Sequence, residues 1–454
     1  GGKFTYSYDV SGRLIRTTAP EALSKDYSYD EYGNIIAVTD QSGRSVSYSF
    51  DKMHRQISVS DAAGNREKYT YNDSGDIASI TSPSGNVSYY TYGKNDEVLS
   101  YTDALGTEKK YTYDKNGNVI SADNGNEKFT VAYDKNGNAV SFSDAAGNTE
   151  KFIYDCMGRV ISESDFKGNT VKYSYDTNGN MISVTNRLGG ITSYGYDSNG
   201  KLISVTDPQG RKTSYKRDRA GNVKSVTEGS IKTADMTYDK DGNVTSISDG
   251  NGNTTYYTYN KADKQTSVKD PLSDITEFVY NNNNMLSSVK NADGTAVSYD
   301  YDAIDKLTEK NYTDKDGNIT DTDTYSYDAD GNISAMKDIT GITHYSYDAL
   351  GHLTAVTSHN GDFAIEYLYD EYGQQISLSY PDGKKSENTY NALGQITGHK
   401  DISGNDTAYE YDANGNVVRC DYGNGTYTEY EYNAEDEVTQ VKNVRKTEVL
   451  GKTK

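Results

Sequence analysis

Residues 175–196 read Tyr175-Asp-Thr-Asn-Gly-Asn-Met-Ile-Ser-Val-Thr-Asn186, then Arg-Leu-Gly-Gly190, then Ile191-Thr-Ser-Tyr-Gly-Tyr196. Two short runs rich in β-branched and aromatic residues are separated by two glycine-containing turns, the pattern of an antiparallel hairpin. The turns carry their own chemistry. In Asp114-Lys-Asn-Gly117-Asn118 and Asp61-Ala-Ala-Gly64-Asn65, Asp bonds the backbone two residues on, while Gly or Asn accepts the positive φ that a tight turn demands.

Outward from this stretch the unit repeats along the whole chain. Tyr8, Tyr29, Phe50, Tyr71, Tyr92 and Tyr113 follow one another at 21-residue steps, most of them followed by Asp or Asn. One unit is a residue shorter and reaches Tyr133, after which Tyr154, Tyr175 and Tyr196 continue the series. Arg217 stands where the next ring belongs, and Tyr238, Tyr259, Tyr280 and Tyr301 follow. A longer unit with extra residues at 311–324 leads to Tyr327, and Tyr347, Tyr369, Tyr390, Tyr411 and Tyr432 complete the array. We expect residues 1–437 to form about twenty repeats and residues 438–454 to be a tail beyond the last clear one. These ring positions are called anchors below, and they are the expected structural anchors of the fold.

The strand leading to each anchor alternates with period two, as in Tyr69-Thr-Tyr71, Tyr173-Ser-Tyr175 and Tyr409-Glu-Tyr411. One face is therefore aromatic, and the Ser, Thr, Gly or Glu between the rings is expected to face water. Partner strands such as Ile77-Ala-Ser-Ile80 and Leu202-Ile-Ser-Val205 offer aliphatic neighbours to the rings. Twenty such units form a ribbon of roughly forty strands and roughly 190 Å. Open sheets rarely pass about ten strands without curling, and a ring made from this ribbon, on the order of 60 Å wide, is too large for these side chains to fill. The expected fold is all-β: tandem 21-residue hairpins forming a spiralling antiparallel sheet, hollow or open.

Composition supports order from repetition. Hydrophobic residues make up 34%, 44 residues are Tyr, Trp is absent, and the net charge is -21. So polar a chain resembles a disordered one, yet an aromatic content of 11%, placed at fixed positions, argues for order. A pI near 4.7 without a basic stripe disfavours nucleic acid and anionic membranes. No apolar run has the length of a membrane span or a secretory leader. The start at Gly1-Gly2-Lys3 suggests a piece of a longer protein, and two cysteines, Cys156 and Cys420, are too few to staple it and are expected to be buried or half-buried free thiols.

No catalytic constellation emerges. His344, His352 and His359 lie near one another in sequence but at different repeat positions, so they read as scattered imidazoles. Asp239-Lys-Asp241-Gly-Asn243, Asp314-Lys-Asp316-Gly-Asn318 and Asp328-Ala-Asp330-Gly-Asn332 open like calcium loops. They lack the Glu that closes such a loop, and turn chemistry accounts for them. No cofactor or metal is expected, and the chain does not read as an enzyme. Departures from the repeat are where specific binding is sought: Arg217 and Arg219 in the basic stretch Tyr215-Lys-Arg-Asp-Arg219, and the insertion at 311–324, expected as a projecting loop.

The unit Tyr-Asp-x-x-Gly-[Asn/Arg]-[Leu/Val/Ile], seen in Tyr8-Asp-Val-Ser-Gly-Arg-Leu14, Tyr154-Asp-Cys-Met-Gly-Arg-Val160 and Tyr411-Asp-Ala-Asn-Gly-Asn-Val417, resembles the YD repeats of the Rhs family. That family includes bacterial polymorphic toxins, wall-associated proteins, cocoon components of insecticidal toxin complexes, and teneurins. The resemblance implies a shell that in toxins encloses a C-terminal effector, and an extracellular, cell-surface or cell-wall location. The core-associated segment of toxin relatives, with its Asp-Pro-x-Gly-Leu motifs and self-cleaving aspartate, has no counterpart in this stretch. The expected function is a structural shell or spacer of a large secreted or surface protein, with a cargo or toxin domain elsewhere in the parent chain. A second reading is an adhesin or carbohydrate-binding module, its Tyr faces contacting a surface glycan or a cell-surface protein.

Overall fold

The computed structural model describes residues 4–20, 23–358, 361 and 363–445. Alternating polar and apolar residues bounded by Asp and Gly produce 42 strands among them, from β1 (Thr5–Tyr8) to β42 (Val438–Arg445), in one antiparallel sheet. Strands pair with their neighbours in sequence. β17 (Thr170–Tyr175) pairs with β18 (Met181–Thr185) through Lys172↔Thr185, Tyr173↔Val184 and Ser174↔Ser183. The register then slips, so that Tyr175 faces Met181 and leaves one extra residue on β18. The same bulge precedes Tyr29, Tyr71, Tyr113, Tyr238 and Tyr411. A bulge strengthens the local twist, so its recurrence at one end of successive hairpins bends the sheet the same way each time.

The chain divides into two units, one of residues Gly1–Ser88 with Arg211–Tyr345, the other of Tyr89–Gly210 with Ser346–Lys454. Neither contains a conventional core. Among the described residues, the only hydrophobic side chains that are fully buried are Ala122, at 1% exposure, and Cys420, at 7%. The aromatic face is instead half-buried under its own neighbours. Tyr69 lies opposite Ile80 and Tyr48 opposite Val59 in the first unit; Tyr173 lies opposite Val184 and Tyr367 opposite Leu378 in the second. Such cross-strand pairs contribute about 0.2–1 kcal/mol each.

The residues between the rings face water as expected, Thr70, Ser174 and Glu410 among them, while the Ser on the partner strand is buried: Ser58 is 2% exposed, and Ser79 and Ser246 are each 8%. Ser79 and Ser246 bond the hydroxyls of the threonines opposite them, Thr70 and Thr237, each at 2.6 Å. Arg66 folds back so that its Nη2 donates to Ser58 Oγ at 2.8 Å. One expectation needs correction: the insertion is not a loop. Its residues lengthen β30 (Leu307–Thr313) and β31 (Ile319–Tyr327) into a longer hairpin closed by the turn 314–318. The alternating Thr-Asp-Thr-Asp-Thr of residues 320–324 has the period of a strand, and that period prevails over its polarity.

Turn glycines are held by conformation alone. Gly117 has φ 86, and a Cβ there meets nothing within 4 Å. Asp and Asn occupy the equivalent place at Asp305 (φ 68) and Asn284 (φ 65). Gly117→Ala is therefore expected to lose about 1 kcal/mol, Gly117→Asn less and Gly117→Val more, as read from urea midpoints; equal losses for the three would contradict this account.

Candidate functional site in the turns and seams

The turn that follows each anchor is built around one carboxylate. In turn 176–180, the Asp176 N–H donates to the Asn180 carbonyl at 2.9 Å and the Gly179 N–H to the Asp176 carbonyl at 3.1 Å. Asp176 Oδ1 accepts the N–H groups of Asn178 and Asn180, and Oδ2 accepts Asn180 Nδ2 at 2.8 Å. Hydrogen bonds from Asn180, from its side chain first, hold the Asp176 carboxyl below its ordinary pKa. Donor and acceptor also exchange places. Where Asn72 replaces Asp, Asp76 stands four residues on, and Asn72 Nδ2 donates to it at 2.9 Å. Where Gly93 removes the side chain, the Glu97 carboxylate fills its space, lying 2.5 Å from where a Cβ would be.

Along most of the array the anchor phenol serves the preceding hairpin. The ladder between β16 (Val160–Ser164) and β17 runs from Ser164↔Thr170 to Ser162↔Lys172. Beyond it, the Tyr175 hydroxyl donates to the Val160 carbonyl at 2.8 Å. Tyr29, Tyr71, Tyr113, Tyr154, Tyr196, Tyr238, Tyr259, Tyr301, Tyr327, Tyr369 and Tyr411 make the same bond at 2.5–2.9 Å. Tyr347 ends β33 (Gly341–Tyr347) at the same position, and Tyr8, on the edge strand β1, is 59% exposed. Where the fifth turn residue is Arg, it joins both devices: Arg159 pairs with Asp155 at 2.6 Å and lies 4.5 Å from the Tyr175 ring centre.

The exceptional residues lie at separate places in the fold. Arg217 keeps the anchor's backbone position opposite Val223, and its Nη1 donates to the Gly221 carbonyl of its own turn at 2.9 Å. Arg219 is exposed at the tip of that turn. His352 is engaged by Asp348, Nδ1 to Oδ2 2.9 Å, within its turn; His344 lies on β33, and His359 lies outside the described residues. Cys156 is exposed, against the expectation of burial, because it occupies the tip of the turn 155–159; Cys420 is buried. In the turns that resemble calcium loops the leading acid is already occupied: Asp239 accepts from Asp241 N, Asn243 N and Asn243 Nδ2. No group of three or more His, Cys, Asp or Glu with the geometry to hold a metal ion occurs among the described residues.

What sequence reasoning missed is a pair of seams, in which turns from the far end of a hairpin meet anchor turns more than 240 residues later. In the first unit, Ser42 Oγ donates to Asn283 Oδ1 at 2.9 Å, Arg44 pairs with Asp305, and Ser84 N donates to Asp330 Oδ1 at 3.1 Å. In the second unit, Lys167 Nζ lies 3.0 Å from both Asp412 and Asp436, and Asn414 Nδ2 donates to Asp165 Oδ2 at 2.9 Å. Arg187 completes that cluster, its Nε 3.3 Å from Asp165 Oδ2. Beside it is a cavity of about 290 Å³ lined in part by Glu150, Glu163 and Phe166. Burial, and then the neighbouring Glu163, raise the Glu150 pKa. Burial and a hydrogen bond to Glu163 push the Tyr173 phenol up to about 12. The cluster is an ion-paired lock. The only signal for it in the sequence is a set of cations at turn positions where other repeats carry Ala.

A hairpin of nearly fixed length, closed by an Asp turn and tied to its predecessor by a phenol, defines the class of tandem-hairpin β-shell proteins. Within that class the chain belongs to the Teneurin YD-shell family, whose sequence model matches residues 103–207 and 226–385, more than half of the chain. The RHS Repeat family matches residues 29–66, 196–230 and 390–426. Among solved structures, a chain of the Tc holotoxin pore of Photorhabdus luminescens superposes with a TM-score of 0.72 at 13% identity, covering 98% of this chain and 30% of that one. TcdB2-TccC3-TEV gives 0.64 at 13% identity, with 99% and 30% covered, and TcdB2-TccC3 gives 0.59 at 14%, with 99% and 29% covered. The chain thus spans about 30% of the length of these solved chains. No curated protein sequence matches it.

Two measurements test the site. Tyr175→Phe removes only the hydroxyl and leaves the Val160 carbonyl without it. The expected loss is about 1–3 kcal/mol by urea unfolding, and a loss below about 0.3 kcal/mol would assign the phenol a packing role only. The second is acid stability. Because folding lowers the pKa of turn carboxyls such as Asp114, Asp134 and Asp176, their contribution is fully present above the unfolded Asp value of about 3.9. It is lost as pH falls through that value towards the folded one. The urea midpoint is expected to hold from about pH 7 to about pH 5 and to fall steadily below about pH 4.

Proposed function

We propose that this chain is a stretch of the wall of an Rhs/YD shell, outside the cell, and that the wall encloses or presents a toxin domain carried C-terminally by its parent protein. The observation that carries this reading is the near absence of a core. Apart from Ala122 and Cys420, every described hydrophobic side chain retains solvent contact, as befits a barrier one sheet thick. The polar groups of each repeat are consumed internally, by the Asp turn and by the phenol bond, so the work of the residues is mechanical and no side chain is given a catalytic role. The likeness to toxin-complex chains whose names pair TcdB2 with TccC3 supports a cargo of that general kind.

Cargo protection tests the reading. A protease-sensitive peptide fused after Lys454 is expected to be cut at least tenfold more slowly than the same peptide on a chain unfolded in urea-tolerant protease assays. Equal rates would leave a wall that encloses nothing at that end.

A further inference from the structure

The face of the sheet that looks away from the rings is nearly uniform. At its central position, between the two rings of an anchor strand, the second unit carries small or polar residues such as Thr91, Thr112, Ser174 and Thr389, and the only large apolar residues there are Ile153 and Leu368. Both stand out into solvent, Ile153 at 58% exposure and Leu368 at 59%. Their surroundings match position for position. On β15 (Thr149–Tyr154), Lys151 lies two residues before Ile153, and Ile153 faces Ser162, which faces Lys172 on its other side. On β35 (Ala364–Tyr369), Glu366 lies two residues before Leu368, and Leu368 faces Ser377 of β36 (Gln375–Ser379), which faces Glu387 of β37 (Lys385–Tyr390). All four charged residues are exposed. One layout is thus occupied twice, once as Lys, Ile and Lys and once as Glu, Leu and Glu.

Leu368 deprives the chain of a hydrogen bond. Where Thr holds this position its hydroxyl bonds the serine opposite, Thr70 with Ser79 at 2.6 Å and Thr91 with Ser100 at 2.7 Å. Opposite Leu368, Ser377 is 8% exposed and its hydroxyl has no partner, a loss that buried polar groups ordinarily avoid. The hairpin gains little from an aliphatic side chain that stays in water, so the reason for Leu368 lies outside its own fold. The chemistry of the patch defines what covers it: a surface apolar at its centre and cationic at its rim, as the Ile153 patch is.

We propose that the patch of Lys151, Ile153 and Lys172 on one copy of this chain docks on the patch of Glu366, Leu368 and Glu387 on a second copy. The two layouts have the same hand, so one face-to-face arrangement seats all three pairs. With Ile153 against Leu368 and the strands of the two sheets crossing near a right angle, Lys151 meets Glu387 and Lys172 meets Glu366. The spacings to be matched are about 7 Å along a strand and about 10 Å across two strands, a difference that flexible Lys and Glu side chains span. Lys385, the remaining charge on the outward face of β35 to β37, comes over the neutral Thr170. An apolar centre ringed by complementary charges is how a specific interface is ordinarily built. The contact does not depend on the wall enclosing a cargo.

Sedimentation velocity over a hundredfold concentration range tests this. The unmodified chain is expected to sediment above its single-chain mass of 50.0 kDa as concentration rises, and less so as NaCl is added, because salt screens the rim charges. Ile153→Ser and Leu368→Thr, which restore what other repeats carry at Ser174 and Thr389, should each weaken assembly at least tenfold. Leu368→Thr should do so with a urea midpoint no lower than that of the unmodified chain, since it supplies Ser377 with a partner. Lys151→Glu with Lys172→Glu in one chain, and Glu366→Lys with Glu387→Lys in another, should each remain single chains, and their mixture should associate. Which charges meet is read from two further chains: Lys151→Glu with Glu387→Lys should keep assembly, whereas Lys151→Glu with Glu366→Lys should abolish it. A single-chain mass at every concentration, assembly indifferent to the charge reversals as pairing of edge strands would give, a mixture that stays apart, or equal assembly of the last two chains would each overturn the proposal.

Discussion

A carbonyl that the strand ladder does not reach sets the terms for this protein. Every bulge bends the sheet and draws the following strand away, and at Val160 and its equivalents the gap is bridged by a phenol from the next hairpin. A chain without a conventional core cannot use bulk hydrophobic burial to hold one hairpin against another, so the link must be local, directional and repeated. Tyrosine suits this because its ring fills the space under the bulge while its hydroxyl reaches across to the backbone. Phenylalanine at Phe50 keeps the bulge and lacks the donor, and Arg217 keeps the bulge and sends its donor to its own turn. Single departures are tolerated because stability in such an array is a sum over neighbours.

The turns obey a complementary constraint. A side-chain acceptor must satisfy N–H groups inside the turn, those of the third and fifth residues for Asp176 and of the fourth and fifth for Asn72, and the side chains at the first and fifth residues must complement each other. Asp176 with Asn180, Asn72 with Asp76, and Glu97 reaching back over Gly93 are three solutions to one problem. Seen this way, the abundance of Asp is turn chemistry, and much of the net charge of -21 follows from it. The lowered carboxyl pKa values have the same origin, in hydrogen bonds and not in ion pairing, for turns such as 176–180.

Much of this was legible in the sequence because it is local. Strand count, anchor spacing and turn type depend on residues within one or two units of each other, and the period makes each an independent confirmation of the last. The hairpin at 307–327 departs from the expected projecting loop because residues 320–324, though polar, alternate with the period of a strand, and the burial of Ser58 and Ser79 is not legible because the pattern of one strand does not fix the side chains of its neighbours. The seams were illegible for a different reason. Arg44 with Asp305, or Lys167 with Asp412, joins residues 261 and 245 positions apart, and which repeats meet depends on a curvature summed over many bulges. A small error in each accumulates into a whole repeat.

That accumulation explains why the seams carry the most individual chemistry in an otherwise uniform chain. A repeat scaffold can slide along itself, since a shift by one unit brings equivalent turns into register again, in the manner of a strand-register slip with a period of one repeat. Unlike pairs at successive seam positions prevent this. Arg44 finds Asp305 and Ser84 finds Asp330, so a slip by one repeat would take Arg44 away from Asp305.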